Sequence, residues 1–378
     1  MIHFNNAGVG LMPEPVLDAM RDYLELEARV GGYEAADERR AQIDDFYAAA
    51  GELLGCAPAN VASTASATDS FSRALSSIPF APGDVLLTTR DDYASNQIAF
   101  MSLRTRLGVD VRHAPNASDG GVDVEEMTGL MDELRPRLVA VTHIPTNSGL
   151  VQPVAEIGRR CRERDLVYLV DACQSIGQYA LDVEELGCDF LSATSRKFLR
   201  GPRGHGLLYV SDRALAAGYE PLFIDMRGAD WTSAAGYTPR ADAKRFEEWE
   251  HAYASIVGAA TAVRYALAVE MDAIAERAPA LGAQLRERLA EIDGVRVLDR
   301  GPELCAIVTV AVEGKSGDEL HAALAARGIN SSVSYLTSAF LDFTEKDVGS
   351  CLRLSPHYYN TEDEVAEVAA AVGALVSR

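Results

Sequence analysis

Residues 166–206 decide the fold, and they read LVYLVDACQSIGQYALDVEELGCDFLSATSRKFLRGPRGHG. The run 166–171 is apolar until it ends in Asp171, which is typical of a strand buried in a parallel sheet. A second predicted strand, 189–194, places Lys197 just beyond its carboxyl end, and residues 201–206 form a glycine-rich return into another strand. Ligands of parallel sheets bind where the strands end. An acid and a lysine at two such ends are therefore candidate functional residues.

The wider segment 61–210 alternates short apolar runs with amphipathic helical stretches, which predicts βαβ units and a mostly parallel sheet. The strands are predicted at 85–89, 138–143, 166–171, 190–194 and 206–210, and a helix at 155–165. We therefore expect an α/β domain.

The carboxyl-terminal third predicts a smaller α+β domain. Apolar residues at helical spacing predict one long helix over 252–276, stopped by Pro279, that links the two domains. Further helices are predicted at 281–292, 317–327 and 361–376, the last with a capping box of Thr361 and Glu364, and strands at 295–298 and 307–312. We expect residues 1–25 to join this small domain, residues 26–265 to form the large domain and residues 266–378 the small one.

Composition limits the function classes. A chain of 378 residues fits two domains or one large one. Its 48% hydrophobic and 24% charged residues, with a mean hydropathy of −0.03, exclude intrinsic disorder. The net charge, 35 basic against 56 acidic residues, is −21 and repels phosphates and anionic membranes, so we expect no nucleic-acid and no membrane partner.

The cysteines and the amino terminus predict a cytoplasmic location. The six cysteines are scattered without a CxxC pair, which is typical of reduced thiols and gives no metal site. The opening MIHFNNAGVGLMPEP lacks the basic and continuous apolar regions of a signal peptide, and no apolar run is long enough to span a membrane.

Six short segments, taken in their order along the chain, together resemble the motif pattern of a known enzyme family. They span essentially the whole sequence. They are Asn5-Asn6-Ala7-Gly8, Ser66-Ala67-Thr68-Asp69, Asp92-Tyr93-Ala94-Ser95-Asn96, Asp171 with Gln174, Lys197 with Gly201-Pro202 and Gly204, and Arg353 with Tyr359-Asn360-Thr361. Alone, each reads as a helix cap, a turn or a surface residue. As an ordered set they resemble the class V branch of fold-type I pyridoxal-phosphate (PLP) enzymes, nearest to its isopenicillin N epimerase-like and ergothioneine-pathway β-lyase members.

The resemblance implies a fold and a cofactor. The fold is a large domain with a mostly parallel seven-stranded sheet and a smaller α+β carboxyl-terminal domain, and the family usually forms homodimers. Lys197 corresponds to the lysine that forms a Schiff base with PLP and moves the Cα proton. Asp171 corresponds to the acid against the ring nitrogen, and Gln174 to a hydrogen-bond partner of the phenolic oxygen.

Further cofactor contacts follow from the same resemblance. Ala67 and Thr68 open a predicted helix whose N–H groups suit the phosphate. Thr194 and Arg196 resemble the Ser-x-His before the family lysine, and Tyr93 stands where a ring-stacking histidine is common. In the loop after residue 143, either Thr146 or Asn147 meets the phenolic oxygen, while His143 is more typical of a core histidine.

Substrate binding is implied for three residues. Arg353 corresponds by this resemblance to the arginine that binds the substrate α-carboxylate. A guanidinium can hold a carboxylate through two parallel hydrogen bonds. Asn6 is a second candidate. Tyr33, in a glycine-containing loop, is a third, at the substrate entrance or reaching across a dimer.

Departures from the family pattern bear on the reaction. Residues 328–335 carry no thiol where cysteine desulfurases need one, and Cys351 lies in a predicted strand, which disfavours persulfide transfer. Trp249 and Glu250 replace a Gly-Thr pair that, in many relatives, contacts the phosphate of the PLP bound to the partner subunit. The leading prediction is α,β-elimination from a cysteine S-conjugate or sulfoxide. Amino transfer, epimerisation or decarboxylation, and a non-catalytic PLP-binding protein remain alternatives.

Overall fold

The computed structural model describes residues 1–376 of the chain. Its strands are β1 Ile2–His3, β2 Val61–Thr64, β3 Val85–Thr88, β4 Asp110–His113, β5 Leu138–Thr142, β6 Tyr168–Asp171, β7 Phe190–Thr194, β8 Gly206–Val210, β9 Ala229–Ser233, β10 Gly236–Pro239, β11 Val295–Val297, β12 Val308–Val312, β13 Ile329–Asn330, β14 Ser332–Tyr335 and β15 Ser350–Leu354.

Its helices are α1 Glu14–Val30, α2 Gly32–Glu38, α3 Arg40–Leu54, α4 Ala67–Ser77, α5 Ala94–Leu107, α6 Val124–Leu134, α7 Val154–Glu163, α8 Val183–Leu186, α9 Asp212–Ala216, α10 Tyr253–Val269, α11 Met271–Ala290, α12 Gly317–Ala325, α13 Phe340–Lys346 and α14 Glu362–Val376. Short 3-10 turns lie at Pro58–Asn60, Ala243–Phe246 and Leu336–Ser338.

The large sheet has seven strands in the order β2-β8-β7-β6-β5-β3-β4. Only β8 runs against its neighbours, so the predicted mostly parallel seven-stranded sheet is confirmed. Every residue of β5 to β8 is buried, which is why these strands were visible as continuous apolar runs. The sequence does not predict β2 and β4, because β2, VAST, has one large apolar residue and β4 is a polar edge strand, DVRH.

Helices cover both faces of this sheet. Consecutive residues of a strand point to opposite faces, and in β6 Val170 belongs to the core that contains Phe46 of α3, while Leu169 belongs to the core that contains Phe71 of α4. The helices α1 and α3 pack against α10 on the first face. Helices therefore cover both faces of the sheet. The polar ends of its strands remain available to form a ligand-binding site.

A second, smaller core lies around an antiparallel sheet, β11-β12-β15-β14, as predicted for an α+β unit. The helices α11, α12 and α14 contribute to it, and the Thr361–Glu364 capping box opens α14 as predicted. Phe4 also belongs to this core, next to the parallel pair β1–β13, whereas Tyr23 of α1 packs in the large core. The division into 1–25, 26–265 and 266–378 stays a proposal, and its last two residues lie outside the described part of the chain.

The prediction of one helix over 252–276 that stops at Pro279 is wrong. The chain bends by 83° between α10 and α11, and Pro279 lies inside α11. The break is at Glu270, which has a φ of +74°. The apolar spacing continues through the bend because α10 buries its residues in the large core and the second half of α11 buries its residues in the small one. The helix predicted at 281–292 is this second half.

Among residues 1–376, no single helix is long and apolar enough to cross a membrane; only the bent pair of α10 and α11, taken together, passes on length and composition.

Candidate active site

A cleft opens where the carboxyl ends of five parallel strands, β2, β3, β5, β6 and β7, lie along one edge of the sheet. Its lining residues are Ser66, Ala67, Thr68, Tyr93, Thr142, Ile144, Thr146, Asp171, Cys173, Gln174, Thr194, Arg196 and Lys197. Every residue that the sequence predicted to hold the cofactor is among them except Asn147. The structure therefore brings together residues that are up to 130 positions apart, from Ala67 to Lys197.

Lys197 carries an amine without a polar partner. Its Nζ makes no hydrogen bond or ion pair with any described residue and lies 6.0 Å from the centre of the Tyr93 ring. Burial lowers its pKa below the usual range. The backbone turn after β7 is held by the Gly201 N–H, which donates to the Ser195 carbonyl at 2.7 Å, so the main chain that carries Lys197 is held at the end of the sheet.

Asp171 is the last residue of β6, and its carboxylate is held by two donors. Its Oδ1 accepts from the Cys173 N–H and its Oδ2 from the Asn96 side-chain amide, both at 2.9 Å. Within residues 1–376 it forms no salt bridge with a lysine, arginine or histidine. Asp171 is therefore an oriented, buried carboxylate that still lacks a cation.

Gln174, Thr146 and Arg353 form a chain of hydrogen bonds beside this carboxylate. The Gln174 amide donates to Thr146 Oγ1 at 2.8 Å, and Arg353 Nη1 donates to the same oxygen at 2.8 Å and to the Thr146 carbonyl at 2.9 Å. Gln174 Oε1 and Arg353 Nε are buried without a partner among the described residues. Burial lowers the pKa of Arg353 to about 10, which leaves it cationic at neutral pH. The two unpaired atoms are an acceptor and a donor available to a ligand.

The amino terminus of α4 forms one wall of the cleft. Ser66 caps the helix by accepting from the Asp69 N–H at 3.1 Å, and the N–H groups of Ala67 and Thr68 have no partner in the described part of the chain. Gly206 permits the close approach of β8, because a Cβ there would lie 2.3 Å from the Ser66 carbonyl carbon. Free N–H groups and the helix dipole make this wall suited to an anion.

Arg196 and Thr194 line the same wall. Arg196 Nη1 donates to the Gly8 carbonyl, so its guanidinium also holds the amino-terminal segment against the cleft. Burial lowers the pKa of Arg196. The Thr194 hydroxyl donates to the His205 carbonyl at 3.3 Å.

Four residues predicted from the sequence are not among the lining residues. Arg353 is one of them, and it contacts the cleft through its hydrogen bonds to Thr146. The Asn147 amide donates to Asp342 of α13 at 2.7 Å. Asn6 is fully buried, donates to the Ser355 carbonyl and accepts from the Tyr359 hydroxyl, which leaves it little capacity to bind a ligand. Tyr33 is 74% exposed on α2. Their predicted roles in binding remain predictions.

Sequence reasoning missed four lining residues and one supporting residue. Ile144, Thr142, Cys173 and Ser66 line the cleft, while Asn96 lies behind Asp171. The signal for Asn96 was its place three residues after Tyr93, which puts it in the first turn of α5 beside the strand ends. Burial raises the pKa of the Cys173 thiol well above its usual range, so the thiol is neutral.

Comparison with known proteins gives consistent matches along the whole chain. The family model described as aminotransferase class-V matches residues 2–368. Over 378 residues the chain is 31% identical to a probable hercynylcysteine sulfoxide lyase of Mycobacterium tuberculosis, covering 100% of this chain and 90% of that protein. It is 26% identical to a probable cysteine desulfurase of Methanothermobacter thermautotrophicus, covering 96% and 92%. The apo structure of a cysteine desulfurase from Thermococcus onnurineus superposes with a TM-score of 0.91 at 24% identity, covering 100% and 94%.

Proposed function

The chain belongs to the aminotransferase class-V family, and on that premise we propose that it is a carbon–sulfur lyase that cleaves a cysteine S-conjugate or its sulfoxide by α,β-elimination. The family is PLP-dependent. The names of two relatives, one for hercynylcysteine sulfoxide and one for cysteine, support a sulfur-containing amino-acid substrate. The expected products are a thiol or sulfenic acid, pyruvate and ammonia.

The residues of the cleft fit PLP. A buried amine without a polar partner, Lys197, suits the aldehyde, and a carboxylate without a cation, Asp171, suits a protonated ring nitrogen. The free N–H groups at the start of α4 suit the phosphate. The unpaired Gln174 Oε1 and the Thr146 hydroxyl lie between these groups. We therefore assign Lys197, Asp171, Gln174, Thr146 and the α4 wall to the cofactor.

Bound PLP supplies an electron sink for the negative charge that develops at the substrate Cα. Lys197 accepts the Cα proton, because its buried amine has a lowered pKa and is neutral more readily than an exposed lysine. Asp171 lies at the end of β6 and is held by two hydrogen bonds, so its carboxylate is oriented to stabilise positive charge beside it without moving. The phenol ring of Tyr93, near the amine, closes the cleft on that side.

Arg353 binds the substrate α-carboxylate. Two of its hydrogen bonds to Thr146 fix the guanidinium, and the unpaired Nε is left for a carboxylate oxygen. A fixed carboxylate sets the rotation of the substrate about its Cα, which decides which bond at that carbon is broken. Burial strengthens the charge-assisted contact because water does not compete for it.

The observation that carries elimination over persulfide transfer is the state of the thiols near the cleft. Cys173 is the one cysteine among the lining residues, and burial keeps its thiol neutral. Cys351 is buried in β15, where burial raises its pKa to about 12. A thiolate is the form that attacks sulfur, so a raised thiol pKa disfavours both cysteines as the nucleophile that desulfuration requires. Elimination needs only the amine, the carboxylate and the guanidinium already described.

The test is direct. The holoenzyme is incubated with a series of cysteine S-conjugates and their sulfoxides, and pyruvate is measured. We expect pyruvate from at least one conjugate and none from the Lys197→Ala variant. A holoenzyme that binds PLP but forms no pyruvate from any conjugate, or that releases sulfide and alanine from free cysteine, contradicts the proposal.

We also propose a homodimer. The segment 222–249 exposes several large apolar side chains close together in sequence, with Phe223 85% and Trp231 83% exposed. Trp249 and Tyr33 are exposed as well. A second copy covering this surface would bury it.

The free thiols support a reducing compartment. All six cysteines are unpaired in the structure, and four of them are buried. Reduced cysteines of this kind are usual in the cytoplasm, and we keep that location as a proposal.

A further inference from the structure

A second buried carboxylate lies directly behind Asp171. Asp92 follows β3 and is 5% exposed, and Asp171, at the end of β6, is 3% exposed. The Asn96 side-chain amide stands between them, donating to Asp171 Oδ2 at 2.9 Å and to Asp92 Oδ1 at 3.1 Å. One amide nitrogen with two protons thus joins the two acids.

The orientation of this amide is unambiguous. The atoms that face Asn96 Nδ2 are two carboxylate oxygens and, at 3.3 Å, the hydroxyl of Thr142. A flipped amide would place its oxygen against both carboxylates and would lose both hydrogen bonds. Asn96 therefore donates to Asp171 through its amide nitrogen.

Asp92 is in turn held by several donors. Its Oδ1 accepts from the Tyr93 N–H at 2.6 Å and from the Thr142 hydroxyl, and its Oδ2 accepts from the Gln97 amide at 2.8 Å. Burial raises the pKa of Asp92 to about 6, and these donors and the nearby Asp171 act on it as well. No cation pairs with Asp92 within the described residues, so no opposite charge neutralises its carboxylate behind Asn96 and Asp171.

We propose that Asn96 and Asp92 are positioning residues for Asp171: Asn96 holds Asp171 Oδ2, and Asp92 holds the Asn96 amide and adds a second negative charge behind the acid. This inference rests on the proposed function, in which Asp171 serves the ring nitrogen of PLP. Two effects follow. Asp171 keeps one rotamer, and the negative potential in the cleft is greater than one carboxylate gives, which favours the protonated forms of the bound cofactor.

The test uses absorbance of the bound cofactor and not turnover. Apo protein is titrated with PLP to obtain Kd, and the visible band of the holoenzyme is followed against pH to obtain its midpoint. We expect Asn96→Ala to raise the Kd for PLP about tenfold, since a hydrogen bond to a charged group is lost. We expect Asp92→Asn, which keeps the shape but removes the charge, to lower the midpoint by about one pH unit.

Asn116→Ala is the matched control. Asn116 donates a similar bond, at 2.8 Å, to the neighbouring acid Asp91 and does not contact Asp171. It should keep the wild-type Kd and midpoint. If Asn96→Ala fails to fold, as judged by thermal unfolding of the apo protein, the isosteric Asp92→Asn alone decides the matter.

The outcomes separate the two proposals. A wild-type protein that takes up no PLP overturns the proposed function. A wild-type protein that binds PLP, while the Asn96 and Asp92 variants match it in Kd and midpoint, overturns only the positioning role. The same shifts in Asn116→Ala would also overturn it, because they would then reflect general disturbance of the loop.

Discussion

Residues in and around the cleft differ in how many of their polar atoms have a hydrogen-bond partner, and a buried atom without a partner is available to a ligand. Asn6 has a partner at both its amide nitrogen and its oxygen, whereas Arg353 and Gln174 each keep one buried atom unpaired. Buried polar atoms are rarely left without a partner, so such exceptions call for a ligand or a water. The sequence predicted Asn6, Arg353 and Gln174 alike as binding residues, and the unpaired atoms favour Arg353 and Gln174 over Asn6.

Replacing Arg353 by lysine tests the carboxylate site. A lysine keeps the charge but loses the fork and the two bonds to Thr146, so we expect KM to rise about tenfold to a hundredfold while the absorbance of the bound cofactor is unchanged. Steady-state kinetics with the best conjugate measure it. Arg327→Lys, on the exposed surface of the small domain, is the control and should behave as wild type. An unchanged KM in the Arg353 variant would remove this residue from the substrate site.

His357 gives a prediction about pH. Its Nε2 meets the Phe198 carbonyl at 2.7 Å next to the Lys197 turn, and burial lowers its pKa from 6.5 to about 3. The folded state therefore takes up this proton less readily than the unfolded chain, so its stabilising effect is complete above pH 6.5 and is lost as the pH falls toward 3.

We expect His357→Asn to cost about 1–3 kcal/mol of unfolding free energy at pH 8 and less at pH 5. Urea unfolding of both proteins at a series of pH values measures the difference. A difference that stays constant from pH 8 to pH 5 would contradict the burial of a neutral imidazole.

At the scale of elements, the cleft is built by the ends of strands and the start of one helix. The parallel strands β5, β6 and β7 end side by side, and the α4 amino terminus is pressed against β8 at Gly206. The amino terminus of α4 can form a wall of the cleft only if β8 packs closely against it. Only a glycine at position 206 permits that close packing.

Gly206→Ala tests this packing. The added Cβ would lie 2.6 Å from the Ala67 nitrogen, so the helix start must shift away from the cleft. We expect the Kd for PLP to rise at least about tenfold and the unfolding free energy to fall by about 1–3 kcal/mol. The control is Gly129→Ala in α6, where a Cβ meets nothing within 4 Å and should be neutral or slightly stabilising. Wild-type affinity in Gly206→Ala would show that the α4 wall does not hold the phosphate.

At the scale of the whole molecule, the two most exposed aromatic side chains, Phe223 and Trp231, lie on the segment 222–249. We expect sedimentation of the wild-type protein to give a dimer, and the double variant Phe223→Asp with Trp231→Asp to give a monomer, because two buried charges cost more than the interface gains. Ile98→Asp with Met101→Asp, on the exposed side of α5, is the control and should stay dimeric. A monomeric wild-type protein, or dissociation in the α5 control alone, would place the interface elsewhere or remove it.

The sequence could predict the central sheet and the two residues nearest to the chemistry, because both follow from local patterns. Strands buried on both faces read as apolar runs, and polar residues at their ends must meet at one edge. Asp171 and Lys197 were found in this way, and the ordered motifs brought in the helix start at Ala67 and the arginine at 353. The family membership followed from the same motifs.

Tertiary structure alone decided what local patterns leave open. Thr146 and Asn147 are adjacent and both polar, yet the loop turns one into the cleft and the other toward Asp342. The bend at Glu270 was hidden because apolar spacing is the same whether a helix serves one core or two. The hydrogen bond from Asn96 to Asp171 joins residues 75 positions apart, and hydrogen bonds between distant residues depend on packing that no local spacing encodes.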